Sequence, residues 1–114
     1  MDASAIARRQ VVLLPFPFSG LSASKLHPAL VLADAERGDW LLCQITSQPY
    51  ADDHAAQFSA TDFTSGGLQR ISYARPAKLF TAHDSLFTGI AGEINVSAHQ
   101  RVCDGVVTLL MHTR

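Results

Sequence analysis

The sequence predicts a mainly β fold with short helices, ending in one amphipathic helix. Three observations carry this. Short apolar runs rich in Val and Leu, at Val11 to Leu14, Ala29 to Leu32 and Trp40 to Ile45, have the length of strands and not of helices. The segments between them are built of Gly, Pro, Ser and Asp, residues that serve turns. Only near the end do Val102, Val106, Leu109 and Leu110 recur at helical spacing on one face.

With 114 residues the chain reads as one domain, 1–114, large enough to bury a core. Hydrophobic residues make up 47% and charged ones 17%, which excludes disorder and leaves few charges to cover a lone monomer. A homodimer is therefore expected. The formal net charge of −1 gives no global signature of a nucleic-acid binder, so any such activity must rest on a local patch. No apolar run approaches the roughly 20 residues of a membrane span, and the first ten residues hold no apolar signal-peptide region, so a cytoplasmic protein is expected. Cys43 and Cys103 sit in apolar segments without CxxC spacing, and read as reduced packing residues.

Met1 to Gln10 is a weakly patterned leader, whose Arg8 and Arg9 are either solvated or edge a phosphate-binding face. Val11 to Leu14 and Ala29 to Leu32 are expected to be neighbouring strands. The segment between them is longer than a hairpin needs. Pro15 and Pro17 stiffen its start, which lets Phe16 and Phe18 face one side. Pro28 turns His27 out of the helical region, at the mouth of the second strand. Asp34 to Asp39 reads as a polar hairpin connection, and Trp40 to Ile45 as a third strand buried on both faces. Thr46, Ser47 and Gln48 end it with hydroxyls and an amide that can meet a ligand.

Further on, Phe58 to Ala60 is a short edge-strand candidate, and Asp62 to Gln69 a turn or single helical turn interrupted by Gly66-Gly67. Ile71 to Phe80 contains Pro76, which predicts an edge strand or a bulge near Arg75. Leu86 to Ile94 is a weaker strand. Ser97 with Gln100 forms a capping-box pattern for the last helix, where Gly105 marks a close contact with the barrel or with a dimer mate.

Four segments together resemble the MazF/PemK-like toxins of type II toxin–antitoxin systems. They are Leu13 to Leu32 (LLPFPFSGLSASKLHPALVL), Gly38 to Gln48 (GDWLLCQITSQ), Asp62 to Phe80 (DFTSGGLQRISYARPAKLF) and Gly92-Glu93-Ile94 before the helix. The resemblance implies an SH3-like β-barrel with short helices, usually a homodimer. It also implies a metal-independent endoribonuclease acting on single-stranded RNA (mRNA) without a cofactor, and an antitoxin that occupies the RNA groove.

Such cleavage by the RNA's own 2′-hydroxyl needs that hydroxyl deprotonated, the leaving 5′-oxygen protonated and the phosphorane charge offset. Where the family typically has arginine before the strand-opening proline, this chain has His27. An imidazole changes charge near neutrality and can move the proton itself. Alternatively, losing the guanidinium fork leaves a toxin-fold binding protein that engages an antitoxin or a protein target such as gyrase.

The resemblance places Thr46 at the family's strand-end hydroxyl, able to donate to a phosphate oxygen, although threonine also suits any strand. It places Arg75 at a basic position, as a phosphate clamp in place of the missing one; a surface ion pair is the other use of such a residue. His27, Thr46 and Arg75 are thus the candidate catalytic residues. Phe16 and Phe18, which can stack on bases or pack in the core, join Lys25, Ser47, Gln48 and Arg70 as candidate RNA contacts. The histidines lack HxxH or HExxH spacing, which argues against a zinc site.

Overall fold

The computed structural model describes residues 6–15, 25–49 and 53–112. The expected base contacts Phe16 and Phe18 lie outside these residues. The elements are β1 (Gln10–Pro15), β2 (Leu26–Glu36), β3 (Asp39–Thr46), β4 (Ala56–Phe58), β5 (Phe63–Gly66), β6 (Ser72–His83), β7 (Gly89–Ile94) and α1 (Val96–Met111). Single 3-10 turns occupy Ala60–Asp62 and Asp84–Leu86. The strands form one antiparallel sheet in the order β4-β6-β3-β2-β1-β7-β5. It curls into a half-barrel, and α1 packs against β6 and β4.

The middle strands bury side chains on both faces, which is why their sequences read as near-continuous apolar runs. Val11, Leu30, Cys43 and Ile45 join Phe58, Ile94, Ala98 and Val102 in one cluster, on the side that α1 closes. Val12, Leu14, Ala29, Val31 and Leu42 join Ile6, Ala82 and Phe87 in a second cluster on the other side. Cys43 and Cys103 are free thiols, the first buried in the core and the second packed at its edge. Burial pushes the Cys103 thiol above its ordinary range, so the reactive thiolate is disfavoured.

Several boundaries differ from the expectation. The predicted six-residue connection between the second and third strands is mostly strand, since Asp34 pairs with Trp40 and Glu36 with Asp39. Only Arg37-Gly38 remain as a turn, both at positive φ (60° and 84°), the backbone of a tight primed hairpin. The short fourth strand ends at Phe58, and Ser59 instead caps the following 3-10 turn. The expected turn beginning at Asp62 contains a strand, β5, because the free edge of β7 pairs with it. At Gly66 (φ 61°) a side chain would run into the Ala91 carbonyl, so the glycine permits that pairing.

The bulge expected near Arg75 is present. Cys43 pairs with Leu79 and Ile45 with Ala74, so five steps along β6 match two along β3. β6 is not an outer strand, but β4 covers only Ser72 to Ala74 of it. Pro76 therefore sits where no ladder partner is needed. The helix begins earlier than the Ser97 pattern predicts. Asn95 is the cap and accepts the Ala98 N–H at 2.8 Å, while Gln100 donates to Asp104 instead. Of the predicted apolar face, Val102 is buried and Val106 packs on the core, but Leu109 and Leu110 remain 36% and 73% exposed.

Candidate functional site

The site begins with strand register. Ala29 pairs with Gln44, and the same register continued by two residues sets His27 opposite Thr46. Pairing between β2 and β3 stops at Ala29 and Gln44, however, so the two strand ends part. Each is held from its outer side: His27 by Leu14 of β1, and Thr46 by Tyr73 of β6. Opposed residues in an antiparallel ladder point to one face, so the imidazole and the hydroxyl share a side of the sheet.

Between the parted ends lies a groove of about 500 Å³. One wall is Lys25 to Pro28, a second is Gln44 to Gln48, and the third is Leu68, Gln69, Arg70 and Ser72. Six of the sequence-derived candidates, His27, Thr46, Lys25, Ser47, Gln48 and Arg70, thus line one cavity. Arg75 is not among its lining residues. It stands in the β6 bulge, half-buried and next to Pro76. The arginine on the groove wall is Arg70.

Local hydrogen bonds prepare two of these groups. Thr46 Oγ1 accepts the Gln48 N–H at 3.1 Å, which turns the chain sharply after β3. With one lone pair so used, the hydroxyl keeps its proton to donate. The Ser72 hydroxyl, only 6% exposed, donates to the Arg70 carbonyl at 3.0 Å and fixes the backbone that carries the guanidinium. Among the lining residues the charged side chains are Lys25 and Arg70, with no carboxylate beside them. A chain of net charge −1 therefore carries a locally cationic groove.

Leu68, Gln69 and Ser72 had no distinguishing mark in the sequence. Their signal is the fold, which carries the segment after β5 back over the ends of β2 and β3. Among the described residues no cluster of three or more His, Cys, Asp or Glu is placed to hold a metal ion. His99, whose Nδ1 lies 3.7 Å from Cys103 Sγ, belongs to the helix and not to the groove. Burial lowers its tendency to protonate, and the nearby Arg8 and Arg9 charges add to that despite the Val31 carbonyl. No helix among the described residues is long and apolar enough to cross a membrane.

No protein-family model matches the chain, and no curated protein sequence matches it. Solved structures do. An endoribonuclease in complex with its cognate antitoxin from Mycobacterial species superposes at TM-score 0.72 with 14% identity, over 100% of this chain and 99% of that one. Mycobacterium tuberculosis toxin MazF-mt6 gives 0.71 with 13% identity, over 93% of this chain and 100% of that one. MazF from Deinococcus radiodurans gives 0.73 with 18% identity, over 94% of this chain and 97% of that one. At such identities the likeness speaks for the backbone alone. The curled seven-stranded sheet with its terminal helix is the MazF-like toxin fold.

Proposed function

We propose that this chain, a single domain, is the toxin of a type II toxin–antitoxin pair and a metal-independent endoribonuclease acting on single-stranded RNA in the cytoplasm. The observation that supports it is the carboxylate-free groove in which His27, Thr46, Lys25 and Arg70 meet. In this reading the His27 imidazole takes the 2′-hydroxyl proton or returns one to the departing 5′-oxygen. The Thr46 hydroxyl donates to a non-bridging phosphate oxygen. Arg70 and Lys25 offset the charge that gathers on the phosphorane. Arg70 thereby takes the clamping role that the resemblance implied for Arg75, and Arg75 acts through the strand it belongs to. Ser47 and Gln48 reach the adjoining nucleotide.

The proposed partners are a cognate antitoxin, as in the Mycobacterial and Deinococcus complexes, and a second copy of the chain. The exposed Val107, Leu109, Leu110 and Met111 on α1 support a homodimer, and light scattering at micromolar concentration should give twice the monomer mass.

The test is incubation with a long single-stranded RNA in EDTA. Wild type should release discrete fragments with 2′,3′-cyclic phosphate and 5′-hydroxyl ends. His27→Ala should lower the rate by about 10²- to 10⁴-fold, as loss of a general acid–base does. Thr46→Val should lower it by about 10²-fold, as loss of one preorganised donor does. A wild type no faster than the double variant would end the nuclease reading. One feature favours a second reading, a binding protein without cleavage that engages its antitoxin or a protein target such as gyrase: an imidazole stands where the resemblance places a guanidinium. Growth arrest with intact RNA and a trapped protein would select it.

A further inference from the structure

Behind the third wall of the groove lies a second, smaller cavity of about 160 Å³. Its lining runs from Phe58, Ser59 and Ala60 through Phe63 to the segment Leu68 to Ile71. Leu68, Gln69 and Arg70 therefore face both cavities, and one short segment separates a cationic groove from a pocket of mixed apolar and polar lining. The pocket is well below the about 300 Å³ at which drug-sized sites begin, so it suits one flat ring system and not a larger group.

We infer that this pocket holds a single unpaired nucleobase, the one next to the phosphate that lies at His27 and Thr46. The inference rests on the nuclease reading for the position of that phosphate. Three features point to a base. First, part of the lining is apolar: the half-buried Phe63, whose ring is braced edge-on by the core residue Phe58, together with Leu68 and Ile71. An aromatic ring flanked by aliphatic side chains is the kind of surface on which unpaired bases stack. Second, Ile71 lines the pocket with 54% of its surface exposed and belongs to neither core cluster, so its side chain is open to a ligand. Third, the amide of Gln69 supplies both a donor and an acceptor at the shared wall, the pair of groups that a base edge presents in return. Arg70, on the same wall, can hold the intervening phosphate from either side. A nucleotide laid across this wall has its phosphate and its ring in chemically matched places.

The pocket makes Gln69 and Ile71 determinants of base selectivity and not of the chemical step. The test uses the full chain and short single-stranded RNA with a deoxyribose at the cleavage position, so that binding is read without turnover. An abasic residue is moved along the oligonucleotide and affinity is followed by fluorescence anisotropy. In wild type one abasic position beside the deoxyribose should weaken binding about tenfold, the order of one stacked base. Gln69→Ala and Ile71→Trp, the second chosen to fill the pocket from an exposed position, should each erase most of that penalty. Circular dichroism would confirm that both variants fold.

Cleavage of a long RNA by the same variants should continue with an altered preference at one base. A penalty undiminished in both variants, or no position-specific penalty in wild type, would overturn the base pocket. Unchanged cleavage sites in both variants would overturn it while leaving the nuclease standing. An RNA that wild type neither binds nor cuts would remove both.

Discussion

Gly105 is the position where two opposed effects can be weighed against each other. It lies in the middle of α1, where glycine costs roughly 1 kcal/mol relative to alanine, so Gly105→Ala on an exposed helix would stabilise by that amount. Here the new Cβ would stand 2.9 Å from Pro76 Cγ and 3.5 Å from Pro76 Cβ. Carbon atoms in contact prefer about 3.5–4.0 Å, so the methyl overlaps the ring by more than half an ångström. Pro76 cannot step aside easily, since its ring is fully buried and its backbone is set by the β6 bulge. Relief must come from lifting the helix, which loosens Ala98 and Val102 in the core. Overpacking of this kind costs about 1–3 kcal/mol, so the clash should cancel or exceed the propensity gain. Urea unfolding should give a variant between unchanged and about 2 kcal/mol less stable than wild type. Adding Pro76→Ala should make the Gly105 substitution favourable relative to Pro76→Ala alone, a coupling readable in a double-mutant cycle. A single variant stabilised by the full 1 kcal/mol would show that helix and bulge are not in tight contact, and would refute the packing argument.

Other expectations can be checked with the same protein. Asp62 accepts the Ser59 N–H at 2.8 Å and an Arg101 N–H at 3.3 Å, and the first of these bonds, with the Arg101 charge, holds its carboxyl below the ordinary 3.8. Asp62→Ala should cost about 1.5–3 kcal/mol at pH 7. Because the folded value is the lower one, the contribution is complete above the unfolded value, so the wild-type advantage should fade only as pH drops below about 4. An advantage that instead faded between pH 7 and 5 would contradict the assignment. Position 37, at φ 60° in the two-residue turn, suits asparagine: Arg37→Asn should raise the unfolding free energy by up to about 1 kcal/mol, read as a higher urea midpoint at an unchanged m-value. Lys25→Gln and Arg70→Gln should each weaken single-stranded RNA binding and lower the slope of log K against log salt by about 0.7. An unchanged slope would place those cations away from phosphate.

The fold was legible where burial dictates residue type on its own. β1, β2 and β3 form the two-sided core, and their Val and Leu runs report it directly. The strand β5 was not legible. Its sequence, Phe63 to Gly66, holds one apolar residue and a glycine, and it becomes a strand because β7 offers an edge. The helix start was misplaced for a similar reason. Both Asn95 and Ser97 are good caps, and the Asn95 N–H donation to the Asp62 carbonyl at 2.7 Å selects the first. At the site, His27 and Thr46 could be nominated because each ends a recognisable strand. Pro76 announces the bulge at Arg75, but choosing between Arg70 and Arg75 required knowing that the segment from Leu68 to Ser72 returns to line the groove, which no local pattern states.

That choice also bears on how so neutral a chain could grip an anion. Two cations count for little when scattered over a solvated surface, where salt screens them beyond about 8–10 Å. They count for more on the walls of one concave site, where low-dielectric surroundings focus their field. The fold supplies that concavity by a simple device: β2 and β3 are paired from Glu36 and Asp39 as far as Ala29 and Gln44, and pairing ends where Pro28, which has no backbone N–H to give, follows. Holding each parted end from outside, through Leu14 and Tyr73, keeps the gap open without leaving its walls loose. A continuous ladder there would bring His27 and Thr46 to within about 5.5 Å, filling the space a phosphate needs. The interruption of pairing is thus the feature that makes room for a phosphate in the proposed function, and the two cations on the groove's walls are what would favour an anion there.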